Sequence, residues 1–434
     1  MKLNKMAWLA AAVIGLTSGS AHAQQYGSNS GVQPASCTTD CTCDEPVCGC
    51  EAACEPECGA EVTCDSGCDS LCGGGLGLGL GSLLECNHGE KFSLFGEYNG
   101  LSIGGWAQLG YHSAGAGIPG NIRFNNHPDR INLHQGWLFA EQAIDTSCGF
   151  DIGGRVDYLY GVDAQNTQAF GIGNDHWDND WDNGIYGHAI PQAYVEMGYG
   201  DLSVKMGHFF TIIGFEVVAA PDNFFYSHVH TMINSEPFTH TGALATYKLS
   251  DDVKVYGGYV LGWDSGFEDN GDAYLGGVSM DLTEDVNLTY STVFGRFNEE
   301  IGERGYMHSV VLNTALTSKL NYVFQTDYLD THFADDTIFR NTIGVNQYLL
   351  YSINECWGAG ARLEWYNLDT TAFDGPGEDD LYDLTFGLNY RPGANLLIRP
   401  EVRWDWAKGD VASIFNEDFA ESQTTFGMDA ILLF

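Results

Sequence analysis

Basic residues are scarce in this chain: 18 Lys and Arg stand against 58 Asp and Glu in 434 residues, a formal net charge of −40. A polyanionic partner such as nucleic acid is thereby excluded, and cations become the natural counterions. Long apolar runs are scarce too. Past the N-terminus no stretch approaches the ~20 apolar residues of a membrane-spanning helix, which excludes anchoring by a helix. The Ser, His and Asp residues form no readable triad, so an enzyme is not expected, and no cofactor is implied. What is abundant is 24 Phe, 22 Tyr, 10 Trp and 55 Gly, a mixture suited to strands and turns.

The N-terminus sets the compartment. Lys2 and Lys5 precede "MAWLAAAVIGL", and "SAHA" follows with Ala21 and Ala23 in the small-residue pattern of a secretory cleavage site. Four zones result: a signal peptide (1-23), a cysteine-rich acidic segment (24-72), a Gly/Leu-rich linker (73-91) and a long region of strand patterns (92-434).

Two-faced strands recur through the last zone. "FDIGGRVDYLY" sets Phe150, Ile152, Val156, Tyr158 and Tyr160 opposite Asp151, Arg155 and Asp157; "NLLIRPEVRWDW" sets Leu396, Ile398, Val402, Trp404 and Trp406 opposite Arg399, Glu401, Arg403 and Asp405. Counting such runs gives sixteen strands, beginning near 100, 131, 149, 190, 202, 239, 252, 273, 286, 306, 319, 338, 355, 381, 395 and 423, with boundaries uncertain by ~2-4 residues. Short turns ("GD" at 200-201, "SDD" at 250-252, "RPGA" at 391-394) alternate with longer loops at 113-130, 161-189, 212-238, 264-272, 299-305, 330-337, 369-380 and 407-422. An antiparallel meander with long loops at one rim and tight turns at the other is the layout of a transmembrane β-barrel. The closing strand "TTFGMDAILLF" fits it: Phe426, Met428, Ala430, Leu432 and Phe434 form an apolar row for lipid. An even strand count returns both barrel ends to the short-turn rim and puts the N-terminal segment in the periplasm.

The C-terminal strand ending in Phe434 resembles the terminal signature of bacterial outer-membrane proteins, which in those proteins is read by the barrel-assembly machinery. "VKMGHF", "IGFE", "NFFYS" and "EPFTHTG", within 204-242, resemble the central motif of the OmpL-like putative beta-barrel porin family. That resemblance covers about 92-434 and implies a porin-like barrel. It does not reach the cysteine segment.

The expected function is a porin passing small hydrophilic solutes, with a preference for cations. The rival reading is a structural cell-envelope protein anchored by its barrel. Inward charges mark the pore-lining candidates Asp151, Arg155, Asp157, Lys205, Arg362, Glu364, Asp383, Arg399, Glu401 and Arg403. The same charges could instead satisfy one another and stiffen the wall. Loop 212-238 is apolar and aromatic, unlike its acidic neighbours, and is expected to fold inward as a constriction carrying Phe215, Glu216, Asn223, Phe224 and Phe225. His228, His230 and His240 lack acidic or thiol ligands at zinc-like spacing and are read as hydrogen-bonding residues. "DNDWDNG" (178-184) has the spaced oxygens of a calcium loop start without its distant Glu; solvated acidic loops are the plainer reading.

Cys37, Cys41, Cys43, Cys48, Cys50, Cys54, Cys58, Cys64, Cys68, Cys72 and Cys86 crowd the N-terminal segment without Lys or Arg. In an oxidising compartment disulfides are their default, and an odd number leaves a thiol for disulfide-linked self-association; metal binding stays open. The fold expectation is therefore an all-β transmembrane barrel with a disordered or disulfide-linked extension, in the outer membrane.

Overall fold

The computed structural model describes residues 92-98, 100-114, 124-169, 177-268, 271-370, 377-409 and 421-434. The signal peptide, cysteine segment and linker expected at 1-91, with the eleven cysteines from Cys37 to Cys86, lie outside the described residues.

One antiparallel sheet holds eighteen strands, two of them only two residues long (Glu97–Tyr98 and Asp182–Asn183). The other sixteen are β1 (Leu101–His112), β2 (Ile131–Gln142), β3 (Phe150–Gly161), β4 (Tyr186–Tyr199), β5 (Leu202–Phe210), β6 (Thr239–Ser250), β7 (Val253–Val260) and β8 (Ala273–Thr283). They continue as β9 (Val286–Asn298), β10 (Glu303–Ala315), β11 (Leu320–His332), β12 (Ile338–Ser352), β13 (Trp357–Thr370), β14 (Gly377–Gly393), β15 (Leu396–Gly409) and β16 (Ser422–Leu433). Each pairs with the next, and β16 pairs with β1, Met428 opposite Tyr111. Phe434 completes the ladder, its N–H and C=O both bonded to Gly105 at 2.9 Å. Each of the sixteen thus finds partners on both sides, as spanning hydrocarbon demands.

All sixteen strands begin within four residues of the positions read from the sequence. The connection at 143-149, with its short turn Thr146–Cys148, was not anticipated. Several long loops are shorter than expected. The connections 299-302 and 333-337 shrink because the backbone ladder runs on past the last alternating apolar residue, as in β11 up to His332.

The two faces separate as the alternation requires. Val156, Phe386, Met428 and Leu432 are exposed on the outside, whereas Asp157, Asp383, Asp429 and Ile431 point inward and are buried. The buried inner apolar residues fall into two clusters. One joins Trp106, Trp137, Tyr348, Leu350, Leu397 and Ile431 to loop residues 218-238; the other lines β5–β11 around Leu275, Val293, Met307 and Leu329.

Candidate functional site

The connection between β5 and β6, residues 211-238, folds into the lumen. Its base is closed by the Thr211 N–H donating to the Phe238 carbonyl at 3.0 Å. At Gly214, φ is +88°, and a Cβ there would lie 2.0 Å from Glu236 Oε2, so a side chain could not fit where the two loop ends meet. Inside, the loop forms a 3-10 turn (Ala220–Asp222) and a one-and-a-half-turn helix (His230–Ser235). Val218, Phe225, Val229, Met232 and Phe238 are buried against the wall. Removing this apolar surface from water is what draws the loop inward.

An apolar fit alone would leave the loop's backbone groups unpaired in a confined space, and the wall supplies their partners. Wall carboxylates accept from loop N–H groups: Glu401 from Tyr226 (2.9 Å) and Ser227 (3.1 Å), Glu364 from His230 and Thr231 (2.7 Å each). Wall guanidiniums donate to loop carbonyls: Arg399 to Ala220 (2.8 Å), Asn223 (2.7 Å) and Phe225 (3.1 Å), Arg362 to Ser227 (2.6 Å), Arg403 to His228 (2.5 Å). The same groups are held by each other. Arg362 pairs with loop Glu216 (2.9 Å) and wall Asp383 (3.0 Å), Arg403 with Asp383 (2.8 Å) and Asp405 (2.7 Å), Arg399 with Asp429 (2.5 Å). Burial alone would raise the Glu216 carboxyl, but Arg362 and then His228 hold it down at about 2.

The expected constriction residues each have a definite role in this plug. Phe215 meets the Tyr348 ring at a tilt of 58° with centroids 4.8 Å apart, and Asn223 Oδ1 accepts from the Val217 N–H at 2.9 Å. Phe224 fills the hollow over Gly358 and Gly360, where a Cβ on Gly360 would meet its ring at 2.4 Å. Phe225 lies under the Arg362 guanidinium, 5.0 Å away.

Of the ten pore-lining candidates, Arg362, Glu364, Asp383, Arg399, Glu401 and Arg403 face inward but bind the loop or its anchors. The remaining four lie on β3 and β5. Arg155 bridges Asp157 (2.6 Å) and Glu141 (2.9 Å) and stays partly exposed; Asp157 also accepts from Trp137 Nε1 (3.1 Å). Asp151 accepts from the Asp145 N–H at 2.7 Å, near the short-turn rim. Lys205 lies 4.2 Å over the Tyr194 ring and opposite Glu196 in register. The sequence reading passed over Glu141, Glu196, Gln135 and Asp429 as inward polar groups, although the alternation of "TTFGMDAILLF" already puts Asp429 on the inner face.

His228 pairs with Glu216 (3.1 Å), His230 with Asp405 (3.2 Å), and His240 lies 3.1 Å from the Thr211 hydroxyl. Asp178, expected on a solvated loop, is buried and accepts from the Ala169 (2.8 Å) and Ile190 (2.7 Å) N–H groups. Asp180 and Asp182 remain exposed. Gly100, Ser102 and Gly104 do match the spacing of a hydrolase elbow, but Ser102 belongs to a barrel strand opposite Glu141 and not to a strand–turn–helix.

Similar barrels occur among solved structures. An anion-selective porin from Comamonas acidovorans matches with a TM-score of 0.53 at 9% identity, covering 77% of this chain and 99% of that one. The outer-membrane channel DcaP of Acinetobacter baumannii matches at 0.51 and 11% identity, covering 79% and 100%. OmpT of Vibrio cholerae, in-vitro folded, matches at 0.52 and 10% identity, covering 77% and 99%. At such identities the likeness establishes the fold. No curated protein sequence matches the chain. The model of the family described as putative beta-barrel porin-2, OmpL-like, matches residues 100–434, and the chain belongs to that family.

Proposed function

We propose that this protein is an outer-membrane diffusion channel for small hydrophilic solutes, narrowed by loop 211-238. The observation that carries the reading is the two-way anchoring of that loop. Five charges on β13 and β15, Arg362, Glu364, Arg399, Glu401 and Arg403, hold its backbone, while Glu141, Arg155, Tyr194, Glu196 and Lys205 on β2–β5 keep partial exposure. Solutes pass along that wall.

Selectivity follows from which charges stay unpaired. The inward arginines of β13 and β15 are neutralised by Glu216, Asp383, Asp405 and Asp429, so they present little field to a passing ion. The surplus of carboxylates over the whole chain then favours cations, modestly at ~0.15 M salt where screening acts over about 8 Å. The anion-selective porin of the same fold is no obstacle, because lumen charge and not strand number sets selectivity. The test is the reversal potential across a planar bilayer under a salt gradient. A cation-side potential that shrinks at high salt, and weakens when Asp180, Asp182 and Asp335 are neutralised, supports the reading; anion selectivity indifferent to salt contradicts it.

Export by the segment 1-23, insertion by the barrel-assembly machinery and cross-linking through the N-terminal cysteines belong to the same proposal. Cys148 and Cys356 both lie on short-turn connections. Oligomers that survive on non-reducing gels and vanish on deleting 37-86 support the cross-linking; monomers alone contradict it.

A further inference from the structure

Of the thirteen cysteines, eleven precede Phe92, and the other two, Cys148 and Cys356, lie in the barrel. Cys356 is in a disulfide. Ile353, Asn354 and Glu355 on the same turn are exposed, whereas Cys356 is buried. Asn354 Oδ1 fixes the turn by accepting from the Cys356 and Trp357 N–H groups at 2.9 Å each. Cys148 cannot be the partner. The shorter way round the wall from its connection to the β12–β13 turn crosses β2, β1, β16, β15, β14 and β13. At about 4.8 Å per strand spacing, that separation far exceeds the ~7 Å between Cα atoms that a disulfide can bridge. The partner of Cys356 is therefore one of the eleven N-terminal cysteines.

The path of the chain ahead of β1 narrows the choice. Glu97–Tyr98 folds back against Leu101 and Ser102. Further back, Phe92 is clamped to the β14–β15 turn: Asn395 Oδ1 accepts from its N–H (2.7 Å), and Asn395 Nδ2 donates to its carbonyl (2.6 Å) and to that of Leu433 (2.7 Å). Between Leu101 and Phe92 the chain has thus passed the end of β16. Next along the same rim is the turn that carries Cys356, whose carbonyl accepts from the Arg391 N–H on β14 at 2.8 Å. One or two strand spacings, about 5-10 Å, separate the two turns. Six residues link Cys86 to Phe92 and can span ~20 Å. The other ten cysteines, at 37-72, hang on tethers at least three times as long, so Cys86 has the highest local concentration at Cys356.

We propose that Cys86 and Cys356 form this disulfide, and that it straps the chain ahead of β1 across the β16–β1 seam on the short-turn rim. The inference rests on the reading that this rim faces an oxidising periplasm. The bond forms by exchange with an oxidising protein disulfide of that compartment. The Cys86 thiolate attacks one donor sulfur and expels the other as a thiolate; the Cys356 thiolate then attacks Cys86 Sγ and expels the donor. The two thiol protons and two electrons leave with the donor, which becomes a dithiol. Linking positions so far apart in sequence restricts the unfolded chain, so the strap reinforces the closed barrel. The ten cysteines at 37-72 are left to pair with one another or with a second chain.

The test uses the full-length chain from outer membranes, alkylated with iodoacetamide without reduction and cut by a glutamate-specific protease. Cleavage after Glu85, Glu90, Glu355 and Glu364 releases peptides 86-90 and 356-364. The proposal expects these two peptides joined, and separated on reduction. Cys86→Ser should expose one additional alkylatable thiol per chain, at Cys356, and Cys356→Ser one at Cys86, whereas Cys148→Ser should leave the joined pair intact. Either strap variant should also shift the unfolding temperature of the heat-modifiable barrel downward; an unchanged temperature overturns the reinforcing role. An alkylated Cys356 beside oxidised cysteines at 37-72, or Cys356 joined to any other cysteine, overturns the inference alone. Alkylation of all thirteen cysteines overturns it together with the reading of an oxidising compartment.

Discussion

Arg362 is fully buried between a loop carboxylate, Glu216, and a wall carboxylate, Asp383. Arg362→Leu would leave both without their counterion, so we expect a loss of ~3-5 kcal/mol, read from urea unfolding of the barrel in lipid vesicles. Arg304 and Asp336 form an exposed pair, and Arg304→Leu should change stability by under about 1 kcal/mol. Asp264 gives a pH signature. Its carboxylate accepts from the Phe238 (2.6 Å) and Thr239 (2.9 Å) N–H groups at the root of the plug, and burial pushes its pKa from 3.8 up to about 7. A carboxyl whose folded pKa is raised binds its proton more tightly when folded. Its contribution is complete below about 4 and is lost as pH rises through about 7. Hydrogen exchange at the Phe238 and Thr239 amides should therefore accelerate, beyond its intrinsic pH dependence, between pH 5 and about 8, and Asp264→Asn, which keeps the acceptor, should flatten that change. The inward direction of Arg362 was legible in the sequence because strand alternation is local. Its partner Glu216, 146 residues away, was not, because pairing across the lumen depends on where a loop comes to rest.

At the scale of elements, strand starts were readable from period-two patterning alone, while loop conformation was not. The apolar, aromatic composition of 212-238 signalled burial, but neither its helix His230–Ser235 nor its carboxylate-and-guanidinium anchors leave a local mark in the sequence. The connection 143-149 escaped because its one glycine, Gly149, comes at the last residue, directly against the next strand. The plug makes a mechanical prediction. Gly360→Leu would occupy the hollow that takes the Phe224 ring, so the loop should be displaced and single-channel conductance should rise or become noisy, with the barrel still heat-modifiable. Unchanged, quiet conductance would mean that Phe224 does not help seat the loop. The last strand carries its own test. Phe434 closes the ladder to Gly105 through both its backbone groups, so its deletion should lower the yield of assembled barrel in the outer membrane.

For the molecule as a whole, sixteen strands, their antiparallel order and the alternation of long and short connections were already implied by sequence, because a closed barrel in lipid tolerates few other arrangements. A tag inserted between Ile301 and Gly302, on the long-loop rim, should be reachable on intact cells, and one between Asp251 and Asp252 should not; equal labelling would contradict the orientation. How far the lumen is occupied could not be read from sequence, since the five anchoring charges look the same on a strand whether they face water or a folded loop. The measurement that bears most directly on the account is the single-channel conductance of the full chain in a planar bilayer, beside a variant in which 215-234 is replaced by a short Gly/Ser linker. The account predicts small, discrete open steps from the natural chain and markedly larger ones from the variant. Silence from the natural chain, with the barrel demonstrably inserted, would contradict it and favour an envelope protein that uses its barrel only as an anchor.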